Sequence, residues 1–338
     1  STVVSFTGAA QTTRGSGEIV FGGRGAGTNF LHHNLTSGQT LTFGPNVLVH
    51  SQAGGSSAQI RLINGPLVNQ GTINADVAGR TITINFAGTL TNAGVIRAQA
   101  ADVALHSPFV NTGTIDLPAN VVLTLGSSTN AWSNSGTILA SAGSLNLGGV
   151  FTDAGLGNVQ RSGTAQLRLI GTLNNAGSTF TLTPARTGSL LLANAGTISG
   201  GTVATSGGAV LATETGTTSG LSAVTLDTDL TVVNNSTLNV SNGLTFANNR
   251  KLVVAAGPNS TVVSFTGAAQ TIGGSGEIVF GGTGAATNFL DHNLTSGQTL
   301  TFGPNVLVHG QAGGSSAQIR LFNGPLVNQG TINADVAG

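Results

Sequence analysis

The sequence predicts an all-β protein with the fold of a right-handed parallel β-helix, or β-solenoid, built from coils of about 19–23 residues. Three observations predict this fold. A marker motif returns about every 20 residues, short runs alternate apolar and polar residues at the period of a β-strand, and no long stretch has helical periodicity. One coil of such a fold holds two or three short strands, and main-chain hydrogen bonds join each coil to the next.

The marker motif is an asparagine followed at the second position after it by a glycine. The spacings between its glycines are 23, 19, 23, 19, 22 and 19, and they are Gly71, Gly94, Gly113, Gly136, Gly155, Gly177 and Gly196. The asparagines are Asn69, Asn92, Asn111, Asn134, Asn175 and Asn194, and Asp153 takes this place in the remaining coil. Because an Asn amide can hydrogen-bond along a stack, we expect these side chains to form a ladder from coil to coil. We expect each glycine to supply a positive φ at a corner, and the Ile that follows it to point into the core.

The marker motifs are separated by short runs in which apolar residues alternate with polar or small ones. Four such runs are Arg80–Phe86, Asn120–Leu125, Gly143–Leu147 and Ala165–Ile170. Alternation at period 2 places the apolar side chains on one face of a strand. Clusters of Gly, Asn and Ser between the runs favour turns, so the pattern predicts short strands joined by tight connections.

A second series of residues follows Gly196, where the marker motif fades. It consists of strand-like runs ending in phenylalanine, with spacings of 19, 15 and 22: Phe246, Phe265, Phe280 and Phe302. We expect these side chains to form an aromatic stack inside the solenoid. Near the start of the chain the same series is Phe6, Phe21, Phe43 and Ile63.

The longest pattern is a repeat of the opening segment of the chain. Residues 1–79 return as residues 260–338, at an offset of 259, with 72 of 79 positions identical. The seven differences are Thr13/Ile272, Arg14/Gly273, Arg24/Thr283, Gly27/Ala286, His32/Asp291, Ser51/Gly310 and Ile63/Phe322. Such a repeat favours a tandem array, in which each unit stacks on its neighbour.

This repeat sets the expected domain organisation. We expect residues 1–338 to form one continuous solenoid, with residues 80–259 as the rest of one repeat unit, and the full protein to carry more copies. At the expected coil length one period holds roughly 12–13 coils and rises about 60 Å, and the whole chain holds roughly 16–17 coils.

Charge and cysteine content exclude several classes of function. The chain has 11 basic and 11 acidic residues, a formal net charge of 0 and no Cys. Without Cys there is no disulfide framework, thiolate nucleophile or Cys-ligated metal. Without a basic excess we expect no binding of nucleic acid. No apolar run approaches the length of a membrane span, which takes roughly 18 residues or more.

Few residues suggest catalytic or metal chemistry. Asp227 and Asp229 lie on one face of a strand if Thr225–Val233 is extended, and paired carboxylates can act as acid and base on a polysaccharide. No Lys, Arg or His is near this pair in sequence, so we expect a solvated strand pair. His32 and His33 resemble a metal-binding pair, but Asp291 replaces the first of them in the second copy, and we expect a surface turn. The sequence therefore predicts no catalytic residue, no metal and no cofactor.

The repeated motifs resemble those of a known protein family. Runs of Asn-x-Gly-Thr-Ile, Leu-Thr-Phe and Gly-Ser-Gly-Glu-Ile-Val-Phe-Gly-Gly are similar to those of large secreted bacterial repeat proteins. These are the filamentous-haemagglutinin-type adhesins and the passenger domains of autotransporters. The resemblance covers nearly the whole chain. It implies a right-handed parallel β-helix in a protein secreted to the cell surface or the extracellular space.

Three hypotheses of function follow. The first is a structural protein whose repeats stack into a fibre, sheath or matrix filament, with further copies of itself as partner through head-to-tail and lateral packing. The second is an adhesin that uses the same solenoid as a stalk and binds cell-surface or matrix glycans through longer coils such as Gly126–Ala131. The third is an enzyme acting on polysaccharides at Asp227 and Asp229.

Overall fold

The computed structural model describes residues 1–23 and 27–334, so Arg24, which differs between the two copies, lies outside the described residues. The chain folds as a parallel β-solenoid of about 14 turns, and 1% of it is helical. It divides into two compact units, Ser1–Gly171 and Thr172–Gly338. The fold class predicted from the alternating runs is therefore confirmed.

The first unit contains three parallel sheets. One sheet consists of Val3–Gly8, Asn29–Leu35, Ala58–Leu62, Ile82–Asn85, Val103–Leu105, Val122–Leu125, Ser144–Leu147 and Gln166–Leu169. The second consists of Gln11–Thr13, Leu41–Phe43, Leu67–Asn69, Leu90–Asn92, Phe109–Asn111 and Trp132–Asn134, with the short strand Val150–Phe151 next to the last of these. The third consists of Gly17–Phe21, Val47–Ser51, Thr72–Asn74, Val95–Arg97, Thr114–Leu117, Thr137–Ala140 and Asn158–Arg161. The helix Asp153–Leu156 follows Val150–Phe151.

The second unit is also built from parallel strands that pair from coil to coil. Its shorter strands are Thr172–Asn174, Thr179–Leu182, Leu190–Leu192, Thr197–Ser199, Thr202–Thr205, Leu211–Thr213, Leu230–Val232, Thr261–Gly267, Asn288–Leu294, Leu300–Phe302, Asn305–Gly310, Ala317–Leu321, Leu326–Asn328 and Thr331–Asn333. Three longer strands continue from one face into the next, and they are Thr218–Asp227, Thr237–Ala256 and Gln270–Gly282. Separate parts of one long strand therefore pair with different neighbours.

The length of a coil varies more than the sequence motif predicts. Leu90 pairs with Phe109 on the next coil, whereas Phe30 pairs with Gln59, so the second of these coils contains many more residues than the first. The expectation of 16–17 coils is therefore wrong, and the chain forms about 14 turns. The marker motif occurs in the shorter coils, whereas the coils of the repeated segment include long connections between strands. The spacing of the motif therefore gave too small a mean coil length.

The core is built from columns, which we define as residues paired directly across successive coils. One column contains Leu67, Leu90, Phe109 and Trp132, and the Phe109 and Trp132 rings stack with centroids 5.2 Å apart. The Ile at the second position after four of the marker glycines forms a second column, with Ile73, Ile96, Ile115 and Ile138 all fully buried. Direct stacking of like side chains fills the interior because adjacent parallel strands place equivalent residues side by side.

Candidate functional site

A ladder of buried asparagines is the most regular polar feature of the first unit. Asn69, Asn92, Asn111 and Asn134 are paired in one column and are at most 3% exposed. The Nδ2 of Asn69 donates to Oδ1 of Asn92 at 2.8 Å, Asn92 donates to Asn111 at 2.6 Å, and Asn111 donates to Asn134 at 2.6 Å. Every step points the same way along the chain.

The same amides also satisfy main-chain carbonyls at the corners of the coils. Asn69 Nδ2 lies 3.2 Å from the Val95 carbonyl oxygen, and Asn92 Nδ2 lies 3.2 Å from that of Thr114. A side-chain amide has two donor hydrogens and one acceptor oxygen, so it can bond to a ladder neighbour and a carbonyl at once. Such satisfaction is needed here because a buried polar group without a partner costs about 1–3 kcal/mol.

The ladder ends at Asn134, which donates to the Leu156 carbonyl at 3.0 Å. The next marker residue, Asp153, begins the helix Asp153–Leu156, and the Gly155 amide in that helix donates to the Thr152 hydroxyl at 2.9 Å. The helix occupies the position at which the next coil would need the corner of the marker motif, so the ladder does not continue beyond Asn134.

The last two marker asparagines lie outside the ladder. Asn175 is buried and donates to the Thr202 carbonyl at 2.9 Å, whereas Asn194 is exposed at φ 45°. Their motifs are out of register because Leu173 pairs with Ile198 rather than with Leu192. The similar spacing along the chain therefore does not place Asn175 and Asn194 in one column.

Four of the marker glycines, Gly71, Gly94, Gly113 and Gly136, are required for a reason other than the expected positive φ. Of the seven, only Gly177 has a positive φ, of 71°. A β-carbon at Gly94 would overlap the carbonyl oxygen of Gly71, and the same overlap joins Gly113 to Gly94 and Gly136 to Gly113. The backbones of successive coils approach so closely at this corner that no side chain fits between them. Gly196 is also buried, and its amide donates to the Ala193 carbonyl at 2.7 Å.

The four phenylalanines of the second series are buried but do not form one stack. Phe246 is paired with Leu226, Phe265 with Val240, Phe280 with Val254, and Phe302 with Ile272. These pairings belong to separate columns, so the expected aromatic ladder is wrong. Only one pair of these rings is in contact, Phe265 and Phe302, whose centroids are 6.2 Å apart in an edge-to-face arrangement. Successive members of the series lie on different parts of a coil, which their spacing alone does not reveal.

A row of charged side chains runs along the outer surface of the second unit. Lys251 Nζ lies 2.9 Å from Glu277 Oε2, and His309 Nε2 lies 3.2 Å from the same oxygen. The hydrogen bond from Lys251, with a smaller one from His309, holds the pKa of Glu277 below its ordinary value against the opposing effect of desolvation.

The first copy carries the corresponding row without the lysine. His50 lies between two carboxylates, with Nδ1 3.1 Å from Asp76 Oδ2 and Nε2 3.5 Å from Glu18 Oε2. The Glu18 side chain is 61% exposed. A histidine therefore faces the same glutamate position in both copies.

The carboxylates of the enzyme hypothesis have partners that the sequence did not indicate. Asp227 Oδ1 accepts from Asn248 Nδ2 at 2.8 Å and from Arg250 Nε at 3.2 Å, and Asp229 Oδ1 accepts from the Lys251 amide at 2.9 Å. The hydrogen bond from Asn248 is the main cause that keeps the pKa of Asp227 below its ordinary value. Asp227 thus favours the ionised form, which suits an ion pair better than a general acid.

His32 and His33 lie in the strand Asn29–Leu35, not in the expected surface turn. They point to opposite faces, because His33 is fully buried with Nε2 3.0 Å from the Pro66 carbonyl oxygen, whereas His32 is on the outer face. The two side chains cannot bind one ion together. Within residues 1–23 and 27–334, no group of three or more His, Cys, Asp or Glu could hold a metal.

The difference between the copies at residue 291 adds an ion pair. Arg320 binds Asp291 through two hydrogen bonds of 2.6 Å and lies 3.7 Å from the Phe289 ring centroid. In the first copy His32 replaces the aspartate, and the Arg61 guanidinium lies 3.9 Å from the Phe30 centroid. The stacking of Arg on Phe is thus common to both copies, whereas the carboxylate contact is present in one.

The long coil segment Gly126–Ala131, considered as a binding loop, is tied to the coil before it. Asn130 Nδ2 and the Ser127 hydroxyl both donate to the His106 carbonyl, at 2.6 and 2.9 Å. The Gly126 amide donates to the Leu105 carbonyl at 2.8 Å. These contacts hold the segment against the solenoid at its beginning and near its end.

Comparison with known proteins adds no relative to this description. No protein-family model matches the sequence, and no curated protein matches it. Across the part of the chain that is described, no helix has the length and apolar character needed to traverse a lipid bilayer.

Proposed function

We propose that this chain is part of a structural protein of the cell surface or extracellular space, whose repeats stack into a fibre, sheath or matrix filament. The observation that carries the proposal is that both copies of the repeated segment fold in the same way. Phe30 pairs with Gln59 in the first copy, and Phe289 pairs with Gln318 in the second. A segment that adopts the same register wherever it occurs can be repeated along an array without a change of sequence at each junction.

Side-chain contacts repeat together with the backbone register. His33 Nε2 lies 3.0 Å from the Pro66 carbonyl oxygen, and its counterpart His292 lies 3.2 Å from that of Pro325. The two copies differ in the strands next to them, yet this buried contact of the histidine is made in both. This supports the repeat as an autonomous building unit of an array.

The charge balance also supports self-association. The net charge is 0, so neighbouring solenoids would repel one another little, and lateral packing as well as end-to-end packing is permitted. Open strand edges at the ends of a solenoid are sites where a further coil can pair. The expected partner is therefore another copy of the same repeat.

Electron microscopy of the native assembly tests this proposal. At about 14 turns for the whole chain, one repeat period, from Ser1 to Asn259, forms about 11 turns. A rise of about 4.8 Å per turn then gives an axial spacing of about 50 Å in a fibre of continuously stacked repeats. Fibres with this spacing are the expected result. Purified chains that stay monomeric at high concentration, and a native source without filaments, would contradict the proposal.

A further inference from the structure

Arg61 in the first copy is a cation without the carboxylate that binds its counterpart. In the second copy, Arg320 donates two hydrogen bonds of 2.6 Å to Asp291. His32 takes the place of that aspartate, directly opposite Arg61 in the strand pairing. Among the described residues, the Arg61 guanidinium makes one hydrogen bond, from Nε to Gln59 Oε1 at 3.1 Å. Its Nη1 and Nη2 donors are therefore left without an acceptor in the described part of the chain.

The Arg61 guanidinium is nevertheless held in place. Its central carbon lies 3.9 Å from the Phe30 ring centroid and 5.3 Å from the Phe86 ring centroid. The hydrogen bond from Nε to Gln59 restrains it further. A side chain that is restrained before a ligand arrives loses less conformational entropy on binding. The edge of the guanidinium that carries Nη1 and Nη2 is thus a preorganised pair of donors.

The second copy shows which chemical group a stacked arginine binds in this fold. Arg320 lies 3.7 Å from the Phe289 ring centroid, and its Nε and Nη2 donate to the two carboxylate oxygens of Asp291. Paired N–H donors match the geometry of a carboxylate, and such charge-assisted hydrogen bonds are among the stronger ones in proteins. Because Nε of Arg61 is bound to Gln59, a carboxylate in the first copy would meet Nη1 and Nη2 instead.

No negative charge within the column of Arg61 replaces the missing aspartate. The column contains Ser5, His32, Arg61 and Asn85. Burial and, to a smaller extent, the positive charge of Arg61 lower the pKa of His32, so the imidazole is uncharged at neutral pH. Arg61 is therefore the one charged member of these four residues.

Phe86 adds an exposed aromatic ring beside the guanidinium. Its φ is 82°, a left-handed conformation that is rare for a bulky residue, and the residue is 48% exposed. The Ser107 hydroxyl donates to the Phe86 carbonyl at 2.8 Å and so helps to hold this backbone. Strained backbone of this kind is concentrated at functional sites. The ring offers an apolar surface next to a cation.

We propose that Arg61, flanked by Phe30 and Phe86, is a binding site for the carboxylate of an acidic saccharide such as a glucuronic acid residue. The carboxylate binds Nη1 and Nη2, and the C–H face of the sugar ring packs on the exposed Phe86 ring. The strands that carry Phe30 and Arg61 are each paired with a coil before and a coil after them, so the site lies on the side of the solenoid. It does not depend on the proposed stacking of repeats.

A carboxylate from a second copy of this chain fits the site less well. Carboxylates that already lie within hydrogen-bond distance of a nitrogen are those of Asp76, Asp102, Asp116, Asp227, Asp229, Glu277 and Asp291. An Asp or Glu side chain also has no ring to cover Phe86, whereas a sugar residue supplies both a carboxylate and an apolar face. The site therefore favours a saccharide.

His32→Asp is the decisive variant, because it gives Arg61 the internal partner that Arg320 has. The second copy accommodates aspartate at this position, so the variant is expected to fold. Binding of a glucuronic acid tetrasaccharide to the complete chain is measured by NMR titration, with the methyl ester of the same tetrasaccharide as the uncharged control. We expect the acid to bind in preference to the ester, and His32→Asp to lower the affinity at least about tenfold.

Two further variants separate the site from a general effect of charge. Arg61→Gln removes the cation and should lower the affinity as much as His32→Asp does. Arg97→Gln is the matched control, because Arg97 already lies 2.7 Å from Asp116. We expect Arg97→Gln to bind the tetrasaccharide as the unmodified chain does, and circular dichroism checks that each variant is folded.

Each result supports or refutes the site. It is refuted if the unmodified chain does not bind the tetrasaccharide, if the methyl ester binds equally well, or if folded His32→Asp or Arg61→Gln retains the affinity. An equal loss in Arg97→Gln would indicate attraction by overall charge and would also refute it. A glutamate-containing peptide that binds more tightly than the tetrasaccharide would refute the saccharide as ligand and indicate a protein carboxylate.

Discussion

Replacement of one asparagine in the ladder is the sharpest test of how the first unit is stabilised. Asn92→Ala removes a buried amide that accepts from Asn69 at 2.8 Å and donates to Asn111 at 2.6 Å. Oδ1 of Asn111 then loses its ladder donor inside the solenoid. Asn69 keeps main-chain acceptors, including the Val95 carbonyl at 3.2 Å.

The expected cost follows from these contacts. One stranded buried acceptor costs about 1–3 kcal/mol, and the loss of the second hydrogen bond adds about 1 kcal/mol. We therefore expect Asn92→Ala to lower the free energy of unfolding by about 2–4 kcal/mol. Asn92→Asp should lose at least as much at neutral pH, because a carboxylate cannot donate to Asn111 and would be charged in a buried position.

Urea unfolding followed by circular dichroism measures the effect, and hydrogen exchange locates it. The matched control is Asn194→Gly, at the same motif position but exposed and with a positive φ that Gly adopts freely. We expect this control to change stability by less than about 0.5 kcal/mol. Equal losses in Asn92→Ala and Asn194→Gly, or exchange that is unchanged in the coils of residues 69–134, would refute the reasoning.

Three further predictions concern other contacts. Gly94→Ala should destabilise by about 1–3 kcal/mol, because its β-carbon would overlap the preceding coil, whereas Gly273→Ala has open space and should be neutral in the same unfolding assay. Lys251→Gln should weaken the pH dependence of stability. The lowered pKa of Glu277 contributes stability at neutral pH, and this contribution is lost as the pH falls through the folded-state pKa. Acid titration of the unfolding midpoint should therefore show a smaller loss of stability in the variant. Trp132→Phe removes the 2.8 Å bond from its indole nitrogen to the Gly148 carbonyl and should cost about 1–3 kcal/mol by urea unfolding, more than a conservative aromatic exchange would otherwise cost.

The sequence predicted the strands and the ladder where both depend on local pattern. Alternation at period 2 identifies a strand from its own residues, and the spacings of 23, 19 and 23 from Asn69 to Asn134 equal the coil lengths there. The ladder could therefore be predicted from the sequence as far as Asn134.

Other features depend on register, which the spacing does not determine. A coil presents three faces, so Phe246 and Phe265 can be separated by about one coil length in sequence and still occupy different columns. Asn175 and Asn194 likewise carry the motif but belong to segments with other partners. The sequence also did not predict the close approach of Gly71 and Gly94. It shows where glycine occurs, but it does not show which backbone atoms of the neighbouring coil exclude a side chain there.

The asparagine ladder also gives the stack a polarity. Each amide from Asn69 to Asn111 donates forward, so the dipoles of successive side chains are aligned and reinforce one another. Oδ1 of Asn69 begins the series as an acceptor with no hydrogen-bond partner among the described residues. A coil inserted upside down would bring donor against donor. The ladder therefore favours one orientation for each of the coils that carry Asn69, Asn92, Asn111 and Asn134.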